Sequence, residues 1–372
     1  DVFAWYLDDE IERANFDEFG FPATYGNFGI PAGLMRFFTD IHPLDNAADA
    51  QAYLDRLTAV DNPLAELQAW VLRQRDAGVV EPAITMQVAI NQIDSILSTN
   101  AGDSPFFTRY RDEITDIPDL TTAQRANFRD LALTATASNV LPAYNGLRNT
   151  LSGLLASAPS DIGVGQYTGG DAYYAYELRH HTTTDLTPAE IHQIGLDELD
   201  RVHAELRTRF DQLGYPQNET LEELFARAES EGGTVSAADG LSTFESIIAV
   251  AETLLPDAFG VLPSTSVVVK PDPFGGFYIG PSLDGSRPGA FFAGTENPQP
   301  YYLMPSLAYH EAVPGHHMQI QIQADQDVPT FRKVVRNTGY VEGWALYAER
   351  LAFELGWYDQ DVYGDIGRLQ YE

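Results

Sequence analysis

The sequence predicts a mainly α-helical protein with one small β-sheet late in the chain. Three observations lead there. Apolar residues recur at helical spacing, with capping signals, through much of the chain before Leu254. After Leu254 glycine and proline punctuate short β-branched and aromatic runs. Further on helical spacing returns, and it holds a dense group of histidines and glutamates. The chain therefore divides into residues 1–254, a helical region expected to form one wall of a cleft, and residues 255–372, a small sheet followed by the histidine-bearing helices.

Asp45 through Val60 and Leu64 through Asp76 read as helices. Thr187-Pro188-Ala189-Glu190 is a capping box with proline at the first helical position. Ile191, Ile194, Val202, Leu206, Phe210 and Leu213 follow at helical spacing, and Gly214 supplies a stop. An acidic helix runs from Leu221 to Glu231 and ends at Gly232-Gly233. Then Pro256, Gly260, Pro263, Pro271, Pro273, Gly275, Gly276, Gly280, Pro281, Gly285, Pro288 and Gly289 interrupt the pattern. Between them Val267-Val268-Val269 and Ala290-Phe291-Phe292-Ala293 read as strands. The edge of such a sheet can hydrogen-bond the backbone of an extended peptide. From Gly339 a further helix shows broad apolar coverage through Val341, Ala345, Leu346, Ala348, Ala352 and Leu355.

With 372 residues, 44% of them hydrophobic, the chain can bury a sizeable core in two or three compact units or one continuous helical body. No run approaches the ~20 apolar residues of a membrane span. The opening Asp-Val-Phe-Ala-Trp is no basic and apolar leader, so a signal peptide is expected to be absent or removed. Zero cysteines exclude disulfides and thiolate metal sites and leave the compartment open. Net charge is −32, and Lys270 and Lys333 are the only lysines. That surface repels nucleic acid and anionic lipid, and reads as a solubilising or salt-adapted one. Nothing in the sequence fixes the oligomeric state.

The stretch Tyr-His-Glu-Ala-Val-Pro-Gly-His-His from Tyr309 gathers His310, His316 and His317 around Glu311. Imidazole nitrogens ligate zinc, and an adjacent carboxylate can take a proton from a metal-activated water. The usual zinc-protease pattern, His-Glu-x-x-His, sets the two histidines four residues apart on one helical face. Here the spacing is six or seven. On an intact helix six residues land about 120° away, and seven rise about 10 Å. Pro314 lacks the N–H that would bond the His310 carbonyl and disfavours α conformation at Val313, while Gly315 tolerates positive φ. A break there would absorb two inserted residues and bring His316 back beside His310. Glu342 lies in the apolar helix 26 residues after His316, where a carboxylate is costly unless paired or on a metal. Glu349, seven residues further, shares its face and could orient a ligand from behind. Two histidines, one glutamate and a fourth position for water make a catalytic rather than a structural zinc set.

Four stretches carry a family resemblance: Tyr-Glu-Leu-Arg-His-His-Thr-Thr-Thr-Asp-Leu-Thr-Pro-Ala-Glu from Tyr176, Asp-Gly-Ser-Arg-Pro-Gly from Asp284, Leu-Ala-Tyr-His-Glu-Ala-Val-Pro-Gly-His-His from Leu307, and Val-Glu-Gly-Trp-Ala-Leu-Tyr-Ala-Glu-Arg-Leu from Val341. Weaker similarity reaches back to Asp40-Ile-His-Pro-Leu. The chain resembles the family of domain of unknown function 885, within the broad group of gluzincin-like metallopeptidases. Gly315-His316 resembles the Gly-His pair at the second ligand of thimet oligopeptidase and angiotensin-converting enzyme, which favours His316 over His317. Glu342 resembles their downstream ligand glutamate. The resemblance implies a large helical gluzincin-like body with the sheet beside an active-site cleft. It also implies that the catalytic region continues beyond Gly-Arg-Leu-Gln-Tyr-Glu372, where related peptidases carry a transition-state-stabilising tyrosine or histidine.

Other residues compete for roles. His180-His181 read as substrate contacts or as packing and capping groups, and His42, His192 and His203 as surface or core-rim histidines. Ser282 and Ser286 sit in no Gly-x-Ser-x-Gly elbow, and Gly275-Gly276 is followed by no phosphate-loop lysine. Arg287 reads as a carboxylate anchor or a structural ion pair, and Tyr301 and Tyr302 as core packing. The expected function is a Zn²⁺-dependent peptidase acting on peptide substrates, with His310, His316 and Glu342 as ligands and Glu311 as general base. His317, Glu349 and Arg287 are expected nearby. The alternative is a non-catalytic peptide- or ligand-binding protein on a vestigial metallopeptidase scaffold.

Overall fold

The computed structural model describes residues 2–24, 29–272 and 275–372, and Pro273, one of the turn signals above, lies outside the described residues. The chain is mainly helical, as its apolar spacing predicts. It forms two compact units, Glu10–Tyr174 and a second made of Asp1–Asp9 with Ala175–Glu372. That division differs from one at residue 254. The reason is packing: helix Ala237–Ala258 buries Phe244, Ile248, Ala251 and Leu255 in the same core as Phe291, Met304, Ala308 and Met318. Residues 175–254 thus belong with the histidine-bearing helices.

Glu10–Tyr174 is a helical body. Helix Ala47–Thr58 starts at Asn46, whose side chain accepts from the Asp49 N–H, and Asp61–Asp76 follows after a short turn. They pack with Ala83–Leu97, Pro105–Glu113, Thr122–Ala135 and Leu141–Leu155 around Leu57, Leu64, Ile93, Phe106 and Leu147. Three fully buried tyrosines satisfy their hydroxyls on backbone carbonyls: Tyr53 on Phe106, Tyr110 on Ala50 and Tyr144 on Pro31.

In the other unit the Thr187 capping box forms as expected, opening helix Pro188–Gln212. Gly214 stops it at φ +75°, a left-handed position that a glycine takes without steric cost. Leu221–Gly232 follows behind a second capping box at Thr220. Among the described residues five strands then form two sheets. β1 (Thr234–Val235) pairs antiparallel with β5 (Gln299–Pro300). β2 (Val268–Asp272), β3 (Phe277–Ile279) and β4 (Ala290–Gly294) form a sheet in the order β2-β4-β3, with β2 parallel and β3 antiparallel to β4. The apolar run of β4 is buried on both faces, as a central strand requires, and Pro271 is tolerated because β2 is an edge. The expected first strand is displaced: it begins at Val268 rather than Val267 and runs on to Asp272. Helices Met304–Glu311, His316–Asp325, Thr338–Glu354 and Val362–Tyr371 complete the unit. Among the described residues no helix is long and apolar enough to cross a membrane.

Candidate metal centre

Helix Met304–Glu311 stops at Ala312, which takes φ −104° and ψ −101°, and helix resumes at His316. The intervening Val313–Pro314 peptide is cis. With no proline N–H available to the His310 carbonyl, the chain closes on Ala312 instead. The Ala312 carbonyl accepts from the N–H groups of His317 and Met318 at 3.0 and 3.3 Å. The break at Pro314-Gly315 is therefore present, but the need for glycine is not the expected one. Gly315 has φ −79°, and what excludes a side chain is a close approach. A Cβ there would run into the carbonyl oxygens of His310 and Tyr309. The Trp344 indole N–H donates to the Pro314 carbonyl at 2.9 Å, tying this turn to helix Thr338–Glu354.

The break returns His316 to His310, their rings edge to face with centroids 4.7 Å apart. Oε2 of Glu342 lies 3.7 Å from His310 Nε2 and 3.5 Å from His316 Nε2. Two atoms that each sit about 2.0–2.1 Å from one tetrahedral ion are about 3.3 Å apart. The observed separations are close to that value. Donor atoms of His310, Glu311 and His316 also lie within 4.8 Å of one another. Behind His310, Nδ1 is 2.8 Å from Glu349 Oε1, and the Ser306 hydroxyl donates to the other oxygen of Glu349. That carboxylate fixes the ring so that Nε2 faces Glu342.

The electrostatics follow from this crowding. Burial disfavours the charged form of His310, but the neighbouring carboxylates of Glu342 and Glu349 outweigh it and push its pKa up to about 10. The His310 and His316 imidazoles that face it hold Glu342 well below the usual carboxylate range. Burial pushes the Glu311 carboxyl upward. Glu311 Oε2 and His316 Nδ1 are both buried without a hydrogen-bond partner. Two imidazole Nε2 atoms facing one carboxylate oxygen, with an unpartnered buried carboxylate adjoining, could hold a zinc-like divalent cation.

The surroundings of Glu342 correct the sequence reading. It is not enclosed by apolar side chains: its side chain is 58% exposed, and Leu346 on the same helix and Leu355 just after it are exposed too. Only Ala345, Ala348, Glu349 and Ala352 are buried there, so broad apolar coverage overstated the enclosure. His317 turns away from the centre. Its ring is fully buried, with Nε2 2.8 Å from the Thr265 carbonyl and Nδ1 3.0 Å from the Tyr278 hydroxyl. Since the carbonyl can only accept, Nε2 donates to it and Nδ1 accepts from the tyrosine. Arg287 forms no ion pair among the described residues, and donates to the carbonyls of Gly280 and Pro288.

His180 and His181 brace the helix that carries Glu342. His180 Nδ1 is 2.8 Å from Asp9, and its carbonyl accepts from Asn337. His181 lies 3.1 Å from Glu177 and 3.0 Å from Thr338. Tyr302 packs in the core, its hydroxyl donating to Gln370. Ser282 and Ser286 bond Asp284 within their own turn. Sequence reasoning missed Ser306, Trp344 and Tyr278. Ser306 stands four residues before His310, the helical spacing that puts both on one face, and this signal could have found it.

The family described as bacterial protein of unknown function, DUF885, matches residues 1–372. The chain belongs to the DUF885 family. No curated protein matches it. Among solved structures, a "putative lipoprotein" from Colwellia psychrerythraea shares 29% identity at a TM-score of 0.85, over 90% of this chain and 60% of that one. A "putative lipoprotein of unknown function" from Shewanella oneidensis shares 17% identity at a TM-score of 0.58, over 94% of this chain and 63% of that one, and supports the fold alone. This DUF885 chain thus spans about 60% of the length of these two structures.

Proposed function

We propose that this protein is a zinc-dependent peptidase of gluzincin-like type, with His310, His316 and Glu342 as ligands and Glu311 as general base. One observation carries the reading. Nε2 of both histidines lies within 3.7 Å of the same Glu342 oxygen, across a helix break that the sequence builds at Pro314 and Gly315. Zinc held there supplies Lewis-acid polarisation of the scissile carbonyl and an acidified water. Glu311, next in sequence to His310, receives the proton of the attacking water at its unpartnered Oε2 and passes it to the leaving amine. The proton is thereby conserved over one turnover. Ser306 and Glu349 hold the His310 ring so that Nε2 faces inward. The exposure of Glu342 keeps the donor set open on one side, which a catalytic site requires and a closed structural site does not.

Elemental analysis after zinc supplementation, joined to turnover of a mixed peptide library, tests this reading. About one zinc per chain and peptide cleavage are expected, since the residues supply one three-ligand set. Protein that binds peptides but takes up no transition metal would instead be the non-catalytic binding protein on a vestigial scaffold.

A further inference from the structure

Beside the candidate centre stand two arginines that neither the fold nor the chemistry above employs through charge. Arg287 lies in the loop before β4 and donates to the Gly280 carbonyl at 2.9 Å. Arg336 lies just before helix Thr338–Glu354, and its Nη2 is 2.9 Å from where a Cβ on Gly280 would stand. Both guanidinium groups therefore meet at one glycine, directly after β3. Elsewhere ion pairs engage Arg148, Arg201, Arg209, Arg227 and Arg368. Arg287, half-buried, and Arg336, exposed, have no carboxylate partner among the described residues. Two neighbouring cations without a counter-charge, in a chain of net charge −32, suit an anionic ligand.

Their position says which anion. A Cβ on Gly280 would also lie 3.0 Å from Ile320, which follows His316 by one turn of the same helix. Tyr278, two residues earlier in β3, stacks near His316 at 6.5 Å between ring centroids. Arg336 thus stands close to Ile320, one helical turn beyond a proposed ligand on the same helix. β3 is an edge strand, and an extended peptide laid along its outer edge would pass this point. On the peptidase reading above, we infer that Arg287 and Arg336 bind the free C-terminal carboxylate of the substrate.

The test uses zinc-supplemented full-length protein and N-acetylated tetrapeptides in three forms: free acid, C-terminal amide, and amide carrying an internal glutamate. The free acid should be cleaved at least about tenfold more efficiently than the plain amide, the difference lying mainly in KM, as loss of a charge-assisted pair implies. Arg336→Gln should erase the difference, and Arg336→Lys should restore part of it. Binding of the same peptides to Glu311→Gln protein, measured by calorimetry, should rank them identically without turnover. Equal cleavage of acid and amide would leave the zinc peptidase standing and overturn the carboxylate site. A preference for the glutamate amide would also overturn it, in favour of an acidic side chain. Absence of cleavage in all three would sink the peptidase reading, and equal binding of acid and amide would then dispose of the arginine site as well.

Discussion

Replacing His316 and His317 separately by alanine should produce opposite defects in neighbouring residues. His316 Nε2 lies 3.5 Å from the Glu342 oxygen that also faces His310, so His316→Ala removes one of three proposed ligands. Zinc affinity should fall by more than the ~10–100-fold that loss of an outer hydrogen-bond partner costs. His317 instead bridges Thr265 and Tyr278, with both ring nitrogens engaged. His317→Ala leaves a buried carbonyl and a phenol unmet, at about 1–3 kcal/mol each, or about 2–6 kcal/mol of stability together. Its zinc affinity should stay within the outer-partner range. Competition with a chromophoric chelator reads the first quantity, and the denaturant midpoint of the zinc-loaded protein reads the second. If His317→Ala lost zinc as severely as His316→Ala, the ligand assignment would be refuted. Metal loss in neither variant would place the metal elsewhere.

Glu311→Gln should keep zinc and lower turnover at least ~10²-fold, because its role is proton transfer rather than ligation; retained turnover moves the base elsewhere. Glu349→Gln should weaken zinc binding by ~10–100-fold through the His310 ring, read by the same chelator competition, and unchanged affinity would remove Glu349 from that role. Gly315→Ala should abolish tight zinc binding, since its Cβ meets two backbone carbonyls that cannot yield cheaply; normal affinity would mean the turn is not required. Glu81 gives a pH signature in the helical unit Glu10–Tyr174. Burial pushes its carboxyl up to about 8, against a hydrogen bond to Thr85 that lowers it. The folded state therefore holds this proton more tightly than the unfolded chain. The resulting stability is complete below the ordinary glutamate pKa and is lost as pH rises through about 8. At about 1.4 kcal/mol per pKa unit that loss is a few kcal/mol. Glu81→Gln should flatten the decline in denaturant stability between pH 5 and 8, and an unchanged slope would contradict the burial argument.

Local chemistry made much of this protein legible in its sequence. The Thr187 capping box, the Gly214 stop and the break at Pro314 all rest on rules that act within a few residues, and each appears in the structure. The three-residue strand β3 escaped because glycines flank it and its pairing with β4 is a tertiary fact. Gly315 was placed rightly for a different reason, since close approach to carbonyls ten or more atoms back along the chain has no sequence signature distinct from positive φ. The compact units divide elsewhere than at Leu254, because a change of composition need not be a change of core, and helix Ala237–Ala258 packs across that point.

The two glutamates of helix Thr338–Glu354 show where pattern reading stops and three-dimensional context takes over. Glu342 and Glu349 lie seven residues apart on one face, and both reach His310, one at Nε2 and the other at Nδ1. Periodicity alone makes them equivalent. Their environments do not, because the Glu342 side chain is 58% exposed and that of Glu349 only 2%. An enclosed carboxylate with both oxygens engaged is suited to orienting a ring, and has none left for an ion. An exposed one that faces two imidazoles is free to ligate while leaving room for water and substrate. The exposure that removes the original argument for Glu342 is therefore the property that separates a proposed ligand from its support.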